Sequence, residues 1–137
     1  MNTQNLKFRV WHKKSKRYCE VYNLVFGGKE ATLFGVRANF PKGFDEQALL
    51  EDVTVEQFTG LKDKKNDKEI YEGDIVRYRN DLLYIVVWSE VNAMWYLLQI
   101  RGKKIPYTGG INGQDIWRCE VVGNIHENPE LLSYGGA

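Results

Sequence analysis

A chain of 137 residues, 43% hydrophobic and 13% aromatic with only 3 prolines, can bury a core without metal or disulfide support, and its composition excludes a long disordered tract. Its two cysteines, Cys19 and Cys119, stand far apart in apolar-patterned segments and outside any Cys-x-x-Cys motif, so they read as reduced, buried hydrophobes. The formal net charge of +1 conceals an asymmetry: residues 1–44 carry nine basic groups against two acidic (+7), residues 45–75 carry ten acidic against four basic (−6), and the remainder balances.

The elements follow in chain order. Leu6 to Trp11 alternates apolar with basic residues, which places Leu6, Phe8 and Val10 on one face of a strand and Lys7 and Arg9 on the other. His12 to Arg17 is a polar, strongly basic turn, and Tyr18 to Tyr22 resumes strand-forming residues, so a hairpin is expected. Leu24 to Phe26 and Ala31 to Arg37 suit a second hairpin across Gly27-Gly28. After the break at Pro41-Lys42-Gly43, Asp45 is placed to cap one short helix near residues 45–52, too short to stand without packing on a sheet. Val53 to Phe58 reads as a strand, and Gly60 with the charged run Lys62 to Lys68 as the next turn. Glu69-Ile70-Tyr71 leads into a tight corner at Glu72-Gly73-Asp74, followed by a strand over Ile75 to Arg79 and a turn at Asn80-Asp81.

Leu82 to Trp88 is apolar at every position, the mark of a central strand covered on both faces, and Ala93 to Arg101 is its long successor. An irregular loop bounded by Gly102 and Gly109-Gly110 precedes a strand over Gln114 to Val122, with Trp117, Cys119 and Val121 inside and Arg118 and Glu120 outside. Gly123-Asn124 suits a bulge or turn, and Pro129 opens a last helical turn. Short strands with glycine or charged turns indicate a mainly β protein of small, strongly bent sheets. From about Gln57 onward the order of strands and turns suits an SH3-like partly open barrel, and equally an OB-type barrel, which periodicity does not distinguish.

Four blocks carry a family resemblance: Phe8-Arg9-Val10-Trp11, Gln57 to Asp63, Glu69 to Val76, and Val121 to Leu132. In order and spacing they resemble the YopX-like family of phage and prophage proteins. The resemblance implies a largely β fold with an SH3-like barrel, assembly into homo-oligomers, and a phage or prophage protein whose biochemical role is not established. It supplies no catalytic residues. Two positions depart from the pattern: His12 stands where an aspartate usually follows the tryptophan, and Asn66-Asp67 where Asn-Gly usually forms the turn. The resulting expectation is a single domain over 1–137, with a basic N-terminal β lobe over 1–56 and the barrel part over 57–137.

Asp63 to Glu69 contains carboxylates, but lysines interrupt them and the EF-hand glycine and terminal glutamate are missing. His12 and His126 lack a second ligand at zinc spacing. Ser15, Ser89 and Ser133 lie outside any Gly-x-Ser-x-Gly elbow, and neither glycine pair sits in a phosphate-loop context. No catalytic, cofactor-binding or metal-ligating residue is assigned, and the expected function is that of a non-enzymatic accessory protein acting as a self-associating interaction module. The +7 arm and the −6 segment suit mutual contact, either between subunits or within one chain. The alternative is a nucleic-acid-binding module, in which Lys13, Lys14, Lys16 and Arg17 meet phosphates and the flanking Trp11 and Tyr18 stack on bases. No membrane partner or small-molecule substrate is implied: no apolar run approaches the roughly 20 residues of a membrane span. Met1 to Asn5 is polar, unlike a signal peptide with its apolar stretch of about 7–15 residues, so the expected location is the cytoplasm of a bacterial host.

Overall fold

A computed structural model of the chain describes residues 6–25, 32–37, 45–49, 52–78, 82–101 and 118–132, with the backbone alone for 20–25, 32–37 and 45–49. The fold is mainly β, in small, strongly bent sheets, and the sheet built on β1, β2 and β5 curls into half a barrel. The chain divides into two compact units, one of Leu6–Gln57 and the other of Met1–Asn5 with Phe58–Ala137.

The Leu6–Gln57 unit begins with β1 (Phe8–His12) and β2 (Arg17–Val25), an antiparallel hairpin in which Val10 faces Cys19 and Trp11 faces Tyr18. β3 (Thr32–Arg37) pairs with β2, and β4 (Asp45–Leu49) with β3. β5 (Val53–Lys62) returns along the other side of β1, with Arg9 opposite Glu56 and Val10 opposite Val55. The helix expected near 45–52 is therefore a strand over Asp45–Leu49. A helix of that length lacks the turns to offset its nucleation cost, whereas β3 offers a ready ladder of backbone partners. Burial in this unit also differs from simple alternation. Val10 and its neighbour Trp11 are both buried, on opposite faces of β1, together with Cys19 and Val53.

The Phe58–Ala137 unit holds the second half of β5 and β6 (Glu69–Tyr71), then a four-stranded antiparallel sheet in the order β10-β7-β8-β9. These strands are β7 (Asp74–Tyr78), β8 (Leu82–Ser89), β9 (Met94–Arg101) and β10 (Cys119–Asn124). Its core gathers Ile70, Val76, Tyr84, Val86, Cys119 and Val121, with Leu61, Tyr78, Leu82, Trp95 and Leu97 packed against them. Cys119 and Val121 face inward while Arg118 is exposed, as their alternation requires. The register of β10 on β7 shifts between Val121 and Gly123, the bulge expected at Gly123-Asn124. Pro129–Leu131 forms a 3-10 turn, the single helical element among the described residues with an assigned span.

Gly60 does not end a strand. β5 continues to Lys62, and its register on β6 moves from Phe58–Tyr71 to Lys62–Glu69, leaving two extra residues on β5. Gly60 takes a φ of 87° within that bulge. Thr59 stitches it, donating its hydroxyl to the Ile70 carbonyl at 2.8 Å and accepting from the Leu61 amide at 3.2 Å. The sequence signal for a turn at glycine was real, but a bulge needs the same backbone freedom as a turn. The turns expected at Gly27-Gly28, Pro41 to Gly43 and Asn80-Asp81, the loop from Gly102 to Gly110, and positions 114–117 lie outside the described residues.

Candidate interaction surfaces

The polar motif residues of the Phe58–Ala137 unit are turn locks. Asp63 is fully buried, and its Oδ1 accepts the amides of Lys65 at 2.7 Å and Asn66 at 3.0 Å. Its Oδ2 accepts the buried amide of Val121 at 2.8 Å, so one carboxylate closes the 63–68 loop and fastens it to β10. The Asp63 amide in turn donates to the Lys68 carbonyl at 2.7 Å. Asp67 takes a φ of 54° in this loop, a left-handed conformation that aspartate tolerates where the pattern usually has glycine. Outside the loop, Glu120 accepts from Lys65 at 3.1 Å, and the Lys65 hydrogen bond holds its carboxyl below the usual value against an opposing desolvation.

The corner at Glu72-Gly73-Asp74 is of the same kind. Gly73 has a φ of 84°, and Asp74, buried, accepts the Tyr71 amide at 2.8 Å. Gly73 also donates to the Val86 carbonyl and accepts from Ile125, tying the corner to β8 and to the chain after β10. There Asn124 Oδ1 accepts the amides of His126 and Glu127, while Asn128 Oδ1 accepts the Asn124 amide. These carboxylates and amides satisfy the backbone donors of their own turns, and Asp63 also satisfies the buried amide of Val121.

The six residues singled out for nucleic-acid contact lie together on the β1–β2 hairpin, in two different environments. Lys13, Lys14, Lys16 and Arg17 are exposed. The turn beneath them is tightly organised: Lys16 donates its amide to the His12 carbonyl at 2.9 Å, with a φ of 53°. The Ser15 amide donates to His12 Nδ1 at 3.1 Å, which fixes that nitrogen as an acceptor, and the Ser15 hydroxyl lies 2.7 Å from it. Lys13 donates to the Asp52 carbonyl at 3.2 Å. Trp11, by contrast, is only 8% exposed and packs edge-on to Tyr18, with ring centroids 5.0 Å apart. The Arg9 guanidinium sits 4.6 Å over the Tyr18 ring, and the Tyr18 hydroxyl donates to Glu56 at 2.9 Å. Glu56 is buried beside Arg9, whose Nε lies 3.0 Å away, yet burial outweighs both partners and raises its carboxyl above the usual range. The rings flanking the basic turn are thus packed into the unit.

The acidic segment is likewise not one surface. Glu56, Asp63 and Asp74 are buried, and Asp67 lies 3.9 Å from Lys62. Net charge read from sequence does not separate a carboxylate facing solvent from one facing a backbone amide.

A third feature had no place in the sequence reading. At the end of the β8–β9 hairpin, Trp88 is 44% exposed, Val91 93%, Met94 40% and Leu98 42%. Trp88 rests edge-on against its cross-strand partner Trp95 at 5.0 Å. Tyr84 and Val86 point into the core, so alternation sends Ile85 and Val87 to the other face, opposite Leu98 and Tyr96 in the ladder. That second face is apolar over Ile85, Val87, Tyr96 and Leu98, with Ser89 opposite Met94 at its turn end and Leu83 opposite Arg101 at the other, while Trp88 continues the core face beside Trp95. The doubly apolar pattern of Leu82 to Trp88 was legible in sequence, but it suggested burial on both sides; here one face is core and the other is partly open.

No helix among the described residues is long and apolar enough to cross a membrane. No curated protein matches the chain. The model of the YopX protein family matches residues 7–133, and on that match, which takes in the bulges, corners and locks described above, the chain belongs to the YopX protein family.

Proposed function

We propose that this protein is a non-catalytic interaction module of phage or prophage origin that binds a second copy of itself through the β8–β9 hairpin. One observation carries the reading: Trp88, Val91, Met94 and Leu98 expose large apolar surface on a single hairpin. Exposed apolar groups clustered in this way mark interaction sites, and tryptophan is enriched among residues that dominate binding energy. The occupant follows from charge. β9 carries one charged residue, Arg101 at its end, and lies at the edge of the described sheet. Edge strands that avoid pairing are usually guarded by lysine, proline or inward charge, and β9 has none of these before Arg101. A strand uncharged from Met94 to Ile100, with Glu90 the one charge of the adjoining turn, offers a charged partner little, but it is complementary to itself about a two-fold axis. The non-catalytic part of the reading is supported by the positions of Asp63, Asp74 and His12, each engaged with backbone amides of its own turn.

Sedimentation velocity of the full chain tests this. A concentration-dependent dimer is expected, with Val91→Lys and Met94→Lys together shifting it to monomer while circular dichroism stays that of the folded protein. A wild-type monomer at every concentration, or a dimer indifferent to both substitutions, would overturn the proposal.

A further inference from the structure

The basic end of the β1–β2 hairpin is not used by the reading above. We infer that it is a docking surface for the phosphate backbone of duplex nucleic acid, without base stacking. Four cations, Lys13, Lys14, Lys16 and Arg17, fall within five positions of one turn, and all four are exposed. Their turn is held by the Lys16 amide on the His12 carbonyl, the Ser15 amide on His12 Nδ1, and the Lys13 amide on the Asp52 carbonyl. Cations mounted on an ordered turn lose less freedom on binding than cations on a loose tail.

Of the two carboxylates whose side chains are described on the same unit, Glu56 is buried, paired with Arg9 and bonded to Tyr18, and the Asp52 side chain is exposed.

The class of nucleic acid follows from the rings. Proteins that hold single strands do so by stacking bases on exposed aromatic faces beside a basic track. Here Trp11 is buried with Tyr18 against its edge, and the Tyr18 ring lies beneath the Arg9 guanidinium. The Trp11 ring is closed to a base, and one face of the Tyr18 ring is taken by Arg9. What remains is phosphate contact, which gains most from the dense charge of a duplex and carries no sequence preference.

Fluorescence anisotropy of the full-length protein with a labelled random-sequence duplex, as DNA and as RNA, and with a matching single strand, reads this out. Binding to either duplex is expected at low salt, tighter than to the single strand. With up to four phosphates neutralised, affinity should fall about 100-fold between about 50 and 200 mM salt. The quadruple variant K13Q/K14Q/K16Q/R17Q should lose the binding and its salt slope. A control, K62Q/K64Q/K68Q, changes lysines at the end of β5 and in the 63–68 loop and should bind as wild type. No duplex binding at low salt, preference for the single strand, or equal loss in the control variant would each overturn the inference.

Discussion

Asp63 shows how much one side chain can hold in this protein. Its two oxygens accept three backbone amides, from Lys65, Asn66 and Val121, and the last is buried. Replacing it by alanine leaves a buried donor unsatisfied and releases the 63–68 loop from β10, so Asp63→Ala should cost about 3 kcal/mol. Asp63→Asn keeps one acceptor and should recover part of that. Urea unfolding gives both values, and faster hydrogen exchange at the Val121 amide would locate the loss. Glu56 makes a second prediction, in pH. Burial raises its folded pKa despite Arg9 and Tyr18, so the folded state holds the proton more tightly than the unfolded state. Its contribution to stability is then full below the ordinary carboxylate pKa and is lost as pH rises through the raised value. Compared with Glu56→Gln, which does not titrate there, the wild type should lose relative stability as pH rises from the ordinary carboxylate pKa through the raised one. A difference that stays constant, or grows with pH, in urea midpoints would show that Arg9 prevails over burial.

Among the elements, the two glycine positions separate backbone demand from space. A Cβ on Gly60 would meet nothing within 4 Å, yet its φ is 87°, so Gly60→Ala should cost about 1–2 kcal/mol through conformation alone. At Gly123 the demand is space: a Cβ would lie 2.5 Å from Asn128 Oδ1, the atom that accepts the Asn124 amide. Gly123→Ala should cost about 1–3 kcal/mol by displacing that side chain. Pairing it with Asn128→Ala should remove most of the clash while forfeiting the bond, so the two substitutions should be non-additive in a double-mutant cycle. The elements also show what the sequence could convey. The β1–β2 hairpin, the Gly73 corner, the Gly123 bulge and the inward set of β10 were readable because each rests on local chemistry: alternation, or a glycine where φ or space requires it. The strand at Asp45–Leu49 was not, because Asp-Glu-Gln-Ala-Leu has helical composition and only its partner β3 selects the extended form. The exposure of Trp88 escaped for a related reason. It lies in a strand of strong apolar pattern, and whether its ring is covered depends on neighbours distant in sequence.

Two units, each with its own buried residues, share the strand β5, whose Val53–Gln57 part pairs with β1 and whose Phe58–Lys62 part pairs with β6. At this scale the sequence proposed that a basic arm and an acidic segment draw copies of the chain together. The structure withdraws three of the ten carboxylates of that segment, because Glu56, Asp63 and Asp74 are inside, and shows an exposed apolar hairpin besides. The two modes of assembly respond to salt with opposite sign. Charge pairing weakens as the screening length falls from about 10 Å at 0.1 M to about 3 Å at 1 M. Apolar association is unaffected by screening and is strengthened by excluded salts such as sulfate. Sedimentation of the full chain in dilute buffer and in molar sodium sulfate should therefore show a dimer that persists or tightens in the salt. The quadruple substitution on the β1–β2 turn should leave that dimer intact. A dimer that dissociates as salt rises would return the assembly to the charged segments and leave the β8–β9 hairpin without its second copy.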